Sequence, residues 1–115
     1  MKSLQAKLKD LRDVLNTTGV TAYHYGRPKN ITAPWIVWSE DGETTSFDGD
    51  NHKGEQQIHG TIDCFTQTEY DPLLDSIQEA LNTADVGWKL VSVQYEDETK
   101  LIHYEWEFNI AWSSK

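Results

Sequence analysis

At 115 residues and 13.2 kDa the chain has room for one domain, residues 1–115, and not for two. Its composition, 37% hydrophobic and 11% aromatic, is that of a chain that folds, and a formal charge of −9 repels phosphate and anionic lipid, which argues against nonspecific nucleic-acid binding and against a membrane surface. The single cysteine, Cys64, cannot make an internal disulfide and suits a reducing compartment. The N-terminal segment lacks the apolar run of a secretion signal, and nowhere do about 18 apolar residues follow one another, so neither a signal nor a membrane span is expected. The sequons at Asn16 and Asn30 are accordingly read as incidental.

Leu4, Leu8, Leu11 and Leu15 recur at helical spacing, with Ser3 as N-cap and Gly19 as a left-handed stop, which predicts a helix over 3–17. Its outer face carries Lys2, Lys7, Lys9 and Arg12. Val20 to Tyr25 reads as a short strand closed by the loop 26–30, and Pro34 to Ser39 as a strand apolar on both faces, Trp35 and Val37 pointing one way and Ile36 and Trp38 the other. Residues 40–55 hold six acids, three glycines and one base, with Phe47 as the one large apolar side chain, and read as a long mobile acidic loop or weak hairpin. Residues 57–67 alternate as a strand. Asp71-Pro72 then opens a second helix over 72–84, with Leu73, Leu74, Ile77, Ala80, Leu81 and Ala84 at helical spacing. In 88–96 Leu90 is assigned to one face of a strand and Val91, Val93 and Tyr95 to the other. A hairpin at 97–100 leads into a long strand over 101–112, with Ile102, Tyr104, Trp106, Phe108, Ile110 and Trp112 on one face. The order α-β-β-(β)-β-α-β-β predicts an α+β domain: a mainly antiparallel sheet with two helices packed on one face.

The residues that could carry chemistry are sparse. His24, His52, His59 and His103 lie on separate elements without the i, i+4 spacing of a helical metal site, so no metal is expected. Asp48, Asp50 and His52 resemble a calcium loop, but Lys53 stands where the EF-hand needs glycine and His59 where it needs a bidentate Glu. Cys64, inside a predicted strand, reads as a core residue rather than a nucleophile. His103, Glu105 and Glu107 share a strand face, which is the one arrangement that would suit a small acidic enzyme or ligand-binding domain. No phosphate-cradling glycine loop precedes a helix, so no cofactor and no catalytic residue is assigned.

The charge distribution is more telling. Residues 1–30 hold six bases against two acids, a net of +4, and the remainder four bases against 17 acids, a net of −13. Two copies could dock the basic end of one, at Lys7, Lys9 and Arg12, onto the acidic loop of the next, at Asp48 and Asp50, a heterologous contact that closes into a ring when the rotation permits. Trp35, Trp38 and Phe47 add aromatic surface to that candidate interface.

The first helix, the strand Ala33-Pro34-Trp35-Ile36-Val37-Trp38, the acidic loop, the strand Gly60-Thr61-Ile62-Asp63-Cys64-Phe65, the helix start Glu69-Tyr70-Asp71-Pro72 and the final hairpin together resemble the tail terminator, or tail completion, proteins of long-tailed bacteriophages and prophages. The resemblance implies a non-enzymatic protein of the virion, made in the host cytoplasm. Such proteins form a homo-oligomeric ring, usually of six copies, at the head-proximal end of the tail tube. The implied partners are further copies of the chain, the tail tube protein and the head-tail connector. Head-completion and minor capsid proteins are similar in size and remain alternatives.

Overall fold

The computed structural model describes residues 2–44 and 54–113. The elements are α1 (Leu4–Asn16), β1 (Ala22–His24), β2 (Trp35–Glu43), β3 (Glu55–Thr66), α2 (Leu73–Thr83), β4 (Gly87–Glu96) and β5 (Leu101–Ser113). The five strands form one sheet in the order β1-β2-β3-β5-β4, with β1 parallel to β2 and every other pair antiparallel. The α+β class and the element order agree with the sequence reading.

The helices begin where the capping residues put them. Ser3 Oγ accepts from the Ala6 amide at 3.1 Å, and Gly19 takes φ +92° just beyond the end of α1. Asp71 starts α2 from two residues upstream: its Oδ1 accepts from the Leu73 amide at 2.9 Å and its Oδ2 from the Thr66 hydroxyl at 2.7 Å. The helix start is thereby tied to the end of β3.

Leu8, Leu11 and Leu15 of α1 and Leu73, Ile77 and Leu81 of α2 meet one sheet face in a single core with Ile36, Trp38, Ile58, Ile62, Cys64, Trp106, Phe108 and Ile110. Trp106 Nε1 donates to Gln78 Oε1 at 3.2 Å and Trp88 Nε1 to Asn82 Oδ1 at 2.9 Å, so α2 is fixed over the β5–β4 side of the sheet by side-chain bonds as well as by burial. Gly60 lies opposite Phe108 in the β3–β5 register. A Cβ at Gly60 would stand 2.2 Å from Phe108 Cζ and 2.4 Å from the Ser39 carbonyl oxygen, so the position needs glycine for space.

Three expectations are corrected. The segment 40–55 is shorter as a loop than its composition suggested, because β2 runs to Glu43 and β3 starts at Glu55, with Thr44 N donating to Gln57 O at 3.0 Å. Ladder hydrogen bonds to a neighbouring strand hold these polar residues without burying them, which composition cannot register. The described residues contain no further strand between β2 and β3, and residues 45–53, with Phe47, Asp48 and Asp50, lie outside the described residues.

The second correction concerns β4. Its register on β5 shifts between Leu90 and Ser92, so that Leu90 faces Trp106, Val93 faces Tyr104 and Tyr95 faces Ile102. Since Trp106, Tyr104 and Ile102 share the helix-covered face, Leu90, Val93 and Tyr95 share it too. The extra residue of the bulge, Val91, breaks the period of two that assigned Leu90 to the opposite side. The third concerns Trp35 and Trp38. Both are buried within the chain, Trp38 in the core at 1% exposure and Trp35 on the opposite sheet face at 7%. Trp35 is covered there by Phe65, ring centroids 5.1 Å apart, and by the Arg27 guanidinium 4.4 Å from its ring.

Trp106→Ala should lower stability by roughly 3 to 5 kcal/mol, since it empties a fully buried site and orphans Gln78. Gly60→Ala should cost about 3 kcal/mol, the upper part of the range for overpacking. Urea melts check both. Adding Phe108→Leu to Gly60→Ala should fail to restore stability, because the Ser39 carbonyl stays in place; full recovery would show that the Phe108 ring alone sets the constraint.

Candidate functional site

Three surfaces bear on function. The first is the basic outer face of α1. Lys9 and Arg12 are exposed, whereas Lys7 is half-buried and its ammonium donates to the Ala111 carbonyl at the end of β5. Lys2 pairs with Asp10, and Arg12 Nη2 with Asp13 Oδ1 at 2.9 Å, so part of the expected positive charge is met inside the chain. Between α1 and the ends of β1 and β2 lies a cavity of about 220 Å³ lined in part by Lys9, Arg12, His24, Tyr25, Trp38 and Glu40. Here Glu40 accepts from Tyr25 Oη at 2.6 Å and from His24 Nε2 at 2.7 Å, and the His24 ring stacks on both Tyr25 and Trp38. Burial alone would raise the Glu40 carboxyl, but the hydrogen bonds from Tyr25 and His24 outweigh it and hold the carboxyl below its usual range.

The second surface is the β4 edge. β4 is the outermost strand of the sheet, ten residues long, and along it Leu90, Val91, Val93 and Tyr95 are exposed large apolar side chains. Beside them, the hairpin tip carries Glu96, Asp97 and Glu98. The other edge, β1, is three residues long. Lys89 and the bulge at Val91 interrupt this edge, and its exposed apolar side chains remain available for contact on either side of them.

The third surface is the sheet face away from the helices. His103, Glu105 and Glu107 do share it, and the β3–β5 register sets Asp63 opposite Glu105 and Phe65 opposite His103. His103 Nε2 meets Asp63 Oδ1 at 2.6 Å, and the His103 ring stacks on Phe65 with centroids 4.2 Å apart. Further along, His59 Nδ1 meets Asp41 Oδ1 at 2.8 Å and its Nε2 lies 3.6 Å from Glu107 Oε1. Asp63, Asp41 and His59 were missed as partners of this face by sequence reading. Their alternation was visible, but which strand lies beside which, and in what register, was not.

Cys64 is fully buried, and burial followed by the nearby Asp71 charge pushes its thiol up to about 12, so it is no nucleophile at neutral pH. No helix among the described residues is long and apolar enough to cross a membrane. Compared with protein-family models and with curated proteins, the chain matches none.

The hydrogen bond to Asp41, opposed by partial burial and aided by the Asp41 and Glu107 charges, raises the His59 ring above its ordinary value. A group raised by folding stabilises below its unfolded pKa and loses that contribution as pH rises through the folded one. His59→Gln should therefore melt below the parent at about pH 5.5 and level with it at about pH 8.5, a gap of no more than about 1 kcal/mol for a pair of this exposure. Thermal melts at the two pH values check the sign.

Proposed function

We propose that the chain is a non-enzymatic virion assembly protein of a long-tailed phage or prophage, a tail terminator that forms a ring on the head-proximal end of the tail tube and offers the head-tail connector a surface. The observation that carries this reading is the outermost β4 strand, along which the large apolar side chains of Leu90, Val91, Val93 and Tyr95 stay 39–58% exposed. The opposite side of the sheet carries the short β1 edge and, lining a cavity with His24, the exposed bases Lys9 and Arg12. Two unlike edges, one apolar with an acidic hairpin tip and one flanked by bases, suit a head-to-tail contact, the kind that closes into a ring. The resemblance of the element order and segments to tail terminators supplies the biological setting.

This reading moves the interface from the tryptophans to the β4–β5 hairpin, because Trp35 and Trp38 are already buried in their own chain. Lys9 and Arg12 keep the role assigned to the basic end. Lys7, bonded to Ala111, is the weakest of the three for that role.

Light scattering of the chain alone and with tail tube protein tests the proposal. The parent chain should give a discrete closed oligomer on tube ends. The double variants Val93→Lys/Tyr95→Lys and Lys9→Glu/Arg12→Glu should stay folded and monomeric, and the parent assembly should weaken towards 1 M salt, where the Debye length falls to about 3 Å. A parent chain that stays monomeric and leaves tube ends uncapped overturns the reading.

A further inference from the structure

The open face of the sheet brings Asp63 of β3 together with His103 and Glu105 of β5, residues some forty positions apart in the chain. One ligand-capable atom from each of the three lies within 4.8 Å of the other two, and all three side chains are half-buried. We propose that Asp63, His103 and Glu105 form a binding site for a divalent transition-metal ion of the zinc or cobalt type.

The donor set separates this group from an ordinary patch of solvated carboxylates. It contains an imidazole nitrogen, which suits borderline ions such as zinc, cobalt and nickel and gives no advantage to magnesium or calcium. Phe65 stacks on the His103 ring at an interplanar angle of 17°, so the plane that carries the nitrogen is held before an ion arrives. At a metal–ligand distance of about 2.0 to 2.2 Å, tetrahedral ligand atoms sit about 3.3 Å apart. His103 Nε2 and Asp63 Oδ1, at 2.6 Å, need to part by less than an ångström, and Glu105 needs to close a gap of up to about 1.5 Å through side-chain rotation. Three protein ligands leave a fourth position for water or for a donor from another molecule.

The electrostatics of the face favour a cation as well. Glu107, Asp41 and His59 continue the stripe; in the strand register Lys89 lies across from Glu107 and away from His103, and the other base described on this face, Arg27, is held over Trp35. Coordination through Nε2 uses that nitrogen's lone pair, with the ring proton carried on Nδ1, and protons compete with the ion for its ligands as pH falls. The inference does not depend on the ring-forming role, because every ligand comes from one chain.

Titrating the full chain with Zn²⁺ by calorimetry, and with Co²⁺ by visible absorption, tests the site. The expected result is saturable binding of one ion per chain and a cobalt spectrum that includes nitrogen coordination. Since loss of a mere supporting hydrogen bond commonly costs a metal site tenfold or more, His103→Gln and Asp63→Asn should each weaken binding by at least about tenfold. His59→Gln should leave it within about twofold. Circular dichroism checks that these surface variants keep the fold. Absence of saturable binding in the parent chain, or binding that His103→Gln leaves unchanged while His59→Gln abolishes it, overturns the proposal.

Discussion

The alternation along β3 is the constraint on which the rest of the structure depends. β3 lies at the centre of the five-stranded sheet, paired with β2 on one side and with β5 on the other. Ile58, Gly60, Ile62, Cys64 and Thr66 all turn to the helices and are buried, while His59, Thr61, Asp63 and Phe65 between them turn to the open face. A slip of one residue would send the side chains of His59, Thr61, Asp63 and Phe65 into the core together. The Gly60–Phe108 fit and the Thr66–Asp71 hydrogen bond pin that register from within, the first by leaving no space for a Cβ and the second by tying β3 to the start of α2.

What the sequence made legible follows from how local each signal is. The leucine stripes, the Ser3 and Asp71 caps and the long alternation of β5 need only a few neighbouring residues to be read, and each appears in the structure where its pattern puts it. The β4 face was misread because one extra residue, Val91, reverses a period-two assignment for everything on one side of it, and nothing in Leu90-Val91-Ser92 marks a bulge. The acidic segment was drawn too long because hydrogen bonds from Thr44 and the strand ends to β3 depend on pairing, which composition does not reveal. The parallel pairing of β1 with β2 was equally out of reach, since the connection between them carries no helix to announce a crossover.

The candidate surfaces divide along the same line. Clustering of bases in the first thirty residues was plain, yet only the structure shows that Lys2, Lys7 and Arg12 find partners inside the chain and that Lys9 and Arg12, unlike Lys7, stay exposed. Trp35 and Trp38 looked like surface aromatics because both faces of their strand are apolar. Phe65 and Arg27 cover the open-face tryptophan, so the chain supplies its own lid. The large apolar side chains that stay exposed lie mostly on β4 instead, and the Asp63–His103–Glu105 group arises from cross-strand register that no spacing in the sequence encodes. One alternation thus separates a core that holds the fold from an open face that carries most of the strand's polar side chains.

The central claim is that neighbouring residues of β3 face a packed core and open solvent in turn, and thiol labelling tests it most directly. In the parent chain at about pH 8, Cys64 should react with a small alkylating reagent only as fast as the whole domain unfolds, because it is fully buried and its thiol is held up to about 12. In Cys64→Ala chains carrying Thr61→Cys or Asp63→Cys, the new thiols should react orders of magnitude faster under the same conditions, without unfolding. Similar rates at positions 61, 63 and 64 would contradict the account, because the strand would then not divide the sheet into a covered and an open face.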